Sequence, residues 1–468
     1  MTRTSEPPER WTPISGFLAA LVMFELLNIF FDIPFVRQLS WIAALAYFAL
    51  AIPRIGFREH ALLAVCCILT LMVIAIGRME VLARALDQAV FLTAFIQLLG
   101  LLREAAITSP AIRDCGLHLT RQPPQRRYLA IHAGSHLFGM ILNFGAISLL
   151  GPLIQEGVRA SDGDERIRGI RERRQLSAMI RGFSWIVVWA PSSVTQALLL
   201  TLFPDADPLR SLMLGIGTAL VMMLVGWFED RHRFRKAPQR PRADAGSLSP
   251  RTLRHLAGIL LMLLTLTFAI RWIGSVATVQ ALMLAAPIAL TLWVFVQNGA
   301  LGPVRGASAV LGRWHRVLKV ALPAGAREGV MLGASGFIGI VTGALTPAST
   351  IASFIGDAGI DPALFLFALP LLILLGGQIA LSPVMMVVFL GSVIAAFPHP
   401  PADPALVAFA LSSGWALTMT AAPNATGALM LSRITGIPST TLTWRWNGRF
   451  TLMALAFLFA IFFTMTRG

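Results

Sequence analysis

The sequence predicts an all-α polytopic membrane protein, and three observations carry that prediction. Of 468 residues, 56% are hydrophobic and 13% are charged. The mean hydropathy is +0.72, and long apolar runs follow one another with short polar joints. That is the composition of a chain whose main solvent is lipid. Third, two of the apolar runs are broken alike. Trp185-Ile186-Val187-Val188-Trp189-Ala190-Pro191-Ser192-Ser193 lies in the first half, and Trp415 to Thr426, with Ala422-Pro423-Asn424-Ala425, lies in the second. A mid-helix Pro removes a donor and frees a carbonyl. In lipid such a break survives where it lines a cavity, and a matched pair marks the binding site of a secondary transporter.

The elements follow in order. Spanning helices are expected at 14–31, 39–53, 61–77 and 80–103. A basic interfacial segment then carries Arg103, Arg113, Arg121, Arg126 and Arg127. The run 128–157 is interrupted at Asn143-Phe144-Gly145, and 159–174 reads as a basic loop. The first broken helix is 175–203, and another helix covers 208–228. The stretch 231–254, with Arg231, Arg233, Arg235, Lys236, Arg240 and Arg242, reads as a solvated cytoplasmic linker. Helices follow at 255–273 and 276–297, then a second basic segment, 299–327, and a helix at 328–355. The run 362–397 is interrupted at Gly376-Gly377-Gln378 and Ser382-Pro383. The second broken helix is 404–432, and a last helix covers 449–466. The expectation is about eleven transmembrane helices.

Charge sets the sidedness. The net charge of +15 sits in short loops between apolar runs, as the positive-inside rule requires, so it reports topology and not a nucleic-acid partner. If 128–157 and 362–397 are re-entrant hairpins, the basic loops all fall in the cytoplasm. The loops holding Asp32, Asp205, Asp207, Asp357, Asp361 and Asp403 then fall outside. The N-terminus is then cytoplasmic and the C-terminus periplasmic, in a bacterial-type inner membrane. The two hairpins are opposed, and 39–230 and 255–468 form an inverted repeat, with 1–38 holding an extra first helix. That helix is read as retained and not as a signal peptide. Cys66, Cys67 and Cys115 show no zinc or disulfide spacing.

This pattern resembles the ion transporter superfamily, most closely the divalent anion/sodium symporters that carry dicarboxylates and citrate. In that family each half has a hairpin tipped by Ser-Asn-Thr and then a helix broken at a Pro-Pro-Asn-like turn. Leu142 to Ile154 is similar to the first tip and its outgoing arm, and Ala380 to Met386 to the second. Ala190-Pro191-Ser192-Ser193 and Ala422-Pro423-Asn424-Ala425 are similar to the two turns. The first tip keeps Asn143 without flanking Ser and Thr, and the second has Ser382 followed by Pro383. The resemblance implies an elevator-type transporter and a homodimer. It also implies a scaffold of the first four helices and 255–355, and a moving unit of hairpins and broken helices. Arsenite efflux permeases share the architecture, so the substrate is left open.

The expected substrate- or ion-binding residues are Asn143, Gly145, Ser148, Pro191, Ser192, Ser193, Gln378, Ser382, Pro423, Asn424 and Thr426. Half-helix N-termini favour an anion and freed carbonyls a cation, while small hydroxyls and amides complete a neutral shell. The solute is therefore expected to be a small anion, coupled to Na+ or H+, with lipid as the other partner and no cofactor or metal. Glu25, read as the only carboxylate well inside an apolar run, and His132 and His136, four residues apart, are the candidates for proton coupling. Arg181 and Arg433 flank the broken helices and either attract an anion or anchor the helix ends. A membrane-embedded enzyme acting on lipid-linked substrates is the competing class. It would need a nucleophile, base or metal cluster, and no such motif is present.

Overall fold

The computed structural model describes residues 12–106, 109–160, 164–235, 249–299 and 302–467. α1 (Pro13–Phe31) and α2 (Pro34–Ala51) each begin with Pro, which fits the first helical position because its missing N–H would be unpaired there. α3 (Phe57–Ala75) starts where Glu59 accepts from the Gly56 amide at 2.8 Å, and α4 (Met79–Ala106) is long and mostly buried. α5 (Pro110–Thr120), α6 (Pro124–Leu142) and α7 (Gly145–Arg159) follow. α8 (Glu165–Ser184) runs into a 3-10 turn (Trp185–Val188) before α9 (Val194–Leu202). α10 (Pro208–Arg233), α11 (Pro250–Gly274) and α12 (Thr278–Gly299) are long apolar helices. α13 (Pro303–Arg316), a π turn (Val317–Ala321) and α14 (Leu322–Ala324) lead to α15 (Ala326–Leu345) and α16 (Ala348–Asp357). The chain ends with α17 (Pro362–Gln378), α18 (Pro383–Ala395), α19 (Pro404–Ala421), α20 (Thr426–Thr435), a second π turn (Thr441–Arg445) and α21 (Trp446–Met465).

An Asp-Pro pair starts three of these helices. Asp207, Asp361 and Asp403 each accept an amide hydrogen bond two residues on, at 2.8–2.9 Å, with Pro at the first helical position. The carboxylate satisfies an end amide and meets the positive end of the helix.

The expected all-α polytopic class holds, with corrections. Among the described residues, ten helices rather than eleven are long and apolar enough to cross a membrane. The helix expected at 175–203 is the one lost, because the 3-10 turn and the break split it and its first part, α8, is rich in Arg. The loop expected at 159–174 is helical from Glu165, capped by Asp164, whose side chain accepts from Ile167 N at 2.8 Å. The helix expected at 328–355 is two helices parted at Thr346-Pro347. Proline disfavours helical geometry in the residue before it. Most of the expected linker, 236–248, lies outside the described residues.

The chain forms two compact units: Met1–Ser109 with Ala257–Val341, and Pro110–Leu256 with Thr342–Gly468. In unit 1, polar side chains of α2 and α4 hold the start of α15. Tyr47 donates to Ala326 O, Gln97 to Gly325 O at 3.0 Å and Thr93 to Gly329 O at 3.3 Å. Gly325 O also accepts the regular helix bond from Gly329 N at 3.0 Å. In unit 2, α19 is the central helix, and the whole of its apolar length is buried.

Candidate functional site

Every candidate ligand residue lies in unit 2. At the first tip, α6 ends at Asn143, which takes φ 50° and ψ −131°. Asn tolerates positive φ better than most residues with a Cβ. The reversal is closed by Asn143 N to Gly139 O at 2.9 Å and Ala146 N to Asn143 O at 3.0 Å. Asn143 is half-buried, Gly145 is buried at the start of α7, and Ser148 is exposed.

At the first break, the interruption frees the carbonyl of Val187. Gln196 Nε2 donates to it at 3.1 Å and Ser193 Oγ at 3.4 Å. Ser193 also caps α9, its Oγ accepting from Gln196 N at 3.2 Å. Ser192 Oγ donates to Met140 O at 2.7 Å, which ties this break to the arm leading into the first tip. Pro191 is half-buried between them.

The second half shows the same tie in reverse. α17 ends at Gln378 and the chain turns through Ala380, at φ 68°, with Leu381 N bonded to Gly376 O at 2.9 Å. Gln378 Nε2 donates to Ala421 O at 3.4 Å, at the second break, and its Oε1 accepts from Trp444 Nε1 at 2.9 Å. Ser382 precedes α18 and is half-buried. At the break, Ala422 is extended, Pro423 is buried, Asn424 is half-buried and Thr426 opens α20.

The first tip and the second break meet. Ile180 of α8 shares a buried cluster with Ala422, Ala425 and Ala428. Gly427 approaches so closely that a Cβ there would lie 3.1 Å from Ile147 Cδ1 and 3.9 Å from Phe183 Cε1. Four helices, α7, α9, α18 and α20, begin at the four interruptions. Each presents amide groups and a partial positive charge. The polar surface at these points is amide, hydroxyl and peptide.

The other candidates separate from this cluster. His136 Nδ1 lies 2.8 Å from Gly182 O, and its Nε2 accepts from Trp189 Nε1 at 2.7 Å. His132 is buried one turn away. Arg181 is 1% exposed and fully engaged in a buried network. It donates to Asn447 Oδ1 at 2.7 Å, Glu229 Oε2 at 3.0 Å and Tyr128 Oη at 3.3 Å, and lies 4.4 Å from the Phe450 ring centroid. It is thus a brace between helices, not a free cation waiting for a solute. Arg433 is exposed in the last turn of α20, where a cation suits the carbonyl end. Glu25 lies in unit 1 and is not the lone carboxylate within a span. Asp87 of α4, near it, accepts from Arg37 Nε at 2.9 Å and Trp41 Nε1 at 2.8 Å. Sequence reasoning missed Asp87, although it falls inside the expected helix 80–103. It also missed Gln196, Trp444, Glu229 and Asn447, whose partners are mostly distant in sequence. Among the described residues, no group of three or more His, Cys, Asp or Glu is placed to hold a metal.

No family model and no curated protein matches this sequence. Solved structures do share its fold. The YdaH transporter of Alcanivorax borkumensis, whose structure is described as revealing an unusual topology, aligns with a TM-score of 0.57 at 14% identity. The alignment covers 88% of this chain and 100% of that one. MtrF of Neisseria gonorrhoeae, described as illuminating a class of antimetabolite efflux pumps, aligns with a TM-score of 0.51 at 14% identity, covering 83% and 84%. The protein is therefore an integral membrane protein with the fold of these transporters.

Proposed function

We propose that the protein is a secondary active transporter of a small anionic solute, driven by a sodium or proton gradient. The observation that carries this reading is the joining of two helix breaks and two hairpin tips in one compact unit. Each tip is hydrogen-bonded to the break that follows it, through Ser192 to Met140 O and Gln378 to Ala421 O. Non-helical backbone at membrane depth is tolerated where it lines a cavity. Four helix N-termini at these points favour negative charge, and the hydroxyl and amide side chains add donors without a fixed countercharge.

The reading assigns solute contact to the tips and breaks, with Asn143, Asn424 and Thr426 foremost. Ser192, Ser193 and Gln378 shape the backbone around them. Unit 2 is the part that carries solute, by an elevator-like motion, and the protein is a homodimer in a bacterial inner membrane. A second direction, efflux on the same site, is proposed beside it, because MtrF, of the same fold, is described as illuminating a class of antimetabolite efflux pumps. The test is flux in proteoliposomes with sodium and proton gradients imposed separately, using carboxylates, oxyanions and sulfonates as probes. Gradient-driven movement of an anion supports the reading. Flux that ignores both gradients removes it.

A further inference from the structure

Four rings line up along one face of α6 and on into the first break, Tyr128 tilted and the other three stacked. Tyr128, His132 and His136 recur at every fourth residue, with ring centroids 5.9 Å and 6.5 Å apart, and Trp189 continues the column at 5.6 Å. The two imidazoles are not equivalent. His136 faces a carbonyl with Nδ1, at 2.8 Å, and an indole N–H with Nε2, at 2.7 Å. A carbonyl requires Nδ1–H and a donor requires a bare Nε2, so the neutral tautomer satisfies both. His132 is 1% exposed, and neither of its ring nitrogens has a hydrogen-bond partner. A buried polar ring without partners forfeits the bonds it makes in water, and it persists where something else is gained.

The packing around His132 is tight. α8 approaches α6 so closely that a Cβ at Gly182 would collide with the His132 carbonyl and with Ser135 Oγ. The charged groups nearby are already matched with one another. α8 presents Arg181, which reaches the Tyr128 hydroxyl at 3.3 Å. α10 carries Glu229, shared between Arg181 at 3.0 Å and Arg233 at 3.1 Å, and Asp230, held by Arg174 at 2.7 Å. α5 presents Leu119 to Gly134 of α6. The remaining titratable groups on α5 and α7 are Arg113, Asp114, Cys115, His118, Glu156 and Arg159. The break adds Trp189 and no charge. A proton on His132 therefore places a second positive charge beside Arg181, and the nearby α10 carboxylates Glu229 and Asp230 are already paired with arginines.

We infer that His132 is a proton-binding site whose occupancy decides whether α6 stays packed on α8. A hydronium ion gives its proton to a bare ring nitrogen, forming imidazolium, and no other bond changes. The neutral ring fits the packed arrangement. The imidazolium is accommodated when α6 parts from α8 and water reaches its N–H groups. Because α6 leads directly to Asn143, proton uptake moves the first tip. The use of this site in transport rests on the proposed function, but the site itself does not.

The test uses the full-length protein in lipid nanodiscs, with 15N-labelled histidine, beside H132F and H132N. Phe keeps the ring stack and Asn keeps polarity, so a folding failure in one leaves the other. One imidazole resonance, absent from both variants, is expected to pass from neutral to imidazolium as the pH is lowered. Over the same titration, hydrogen-exchange protection in α6 and α8, corrected for intrinsic rate, is expected to fall about tenfold in the wild type, as one unit of pKa difference between states produces. It should stay flat in both variants. A resonance that never titrates, or equal loosening in the variants, overturns the inference. Titration with loosening but without proton-driven flux upholds the site and counts against proton coupling in the proposed function alone.

Discussion

Replacing Arg181 by Met distinguishes a brace from a solute-attracting cation. The guanidinium is 1% exposed and bonds to Asn447, Glu229 and Tyr128 while facing the Phe450 ring at 4.4 Å. Removing one partner of a buried ion pair costs about 3–5 kcal/mol, because the other charge is left without compensation. Here Glu229 keeps Arg233 at 3.1 Å, which softens that loss. Against this, a charged hydrogen bond to Asn447 goes as well, worth about 1.5–3 kcal/mol. The expected cost is thus about 3–5 kcal/mol, read from a denaturation titration in one fixed detergent. Asn447→Ala should cost less than Arg181→Met, and Glu229→Gln in the Arg181→Met background should recover part of the loss. The reasoning fails if Arg181→Met stays within about 0.5 kcal/mol of wild type and yet abolishes flux. That result would make Arg181 a ligand of the solute.

Asn143 at φ 50° admits Gly without strain, so Asn143→Gly should retain stability, whereas Asn143→Ala should lose about 1–3 kcal/mol. Equal melting of the two variants would contradict that backbone reading. Gly182→Ala forces a methyl into the His132 carbonyl, and thermal melting should show about 1–3 kcal/mol of overpacking cost. A silent substitution would mean that α6 and α8 are not in close contact there. Gln378→Ala breaks the tie from the second tip to Ala421 O. Such hydrogen bonds are worth only about 0.6 kcal/mol on average in membrane proteins, so stability should hold while flux falls. Unchanged flux would remove the tie from the functional site.

What could be read from the sequence followed period, punctuation and charge. The apolar runs, the breaks at Pro191 and Pro423 and the turns near Asn143 and Ser382 all leave local marks, and each lies where helices stop. Asp-Pro at 207, 361 and 403 is equally local, a cap followed by a residue suited to the first turn. α8 was misread because its first half is Arg-rich, and a polar helix looks like a loop unless Asp164 is recognised as its cap. The role of Arg181 was illegible for another reason. Its partners Glu229 and Asn447 lie 48 and 266 residues away, and only tertiary packing brings them together. The same holds for Gln378 and Trp444, separated by 66 residues.

The most direct measurement is anion flux into proteoliposomes under an imposed gradient, comparing wild type with the double variant Asn143→Gly and Asn424→Ala. Folding is checked by matched melting curves. If the Asn143 and Asn424 side chains at the interrupted backbone hold the solute, the double variant folds and moves no solute. Wild-type flux through a well-folded double variant would show that the solute passes elsewhere.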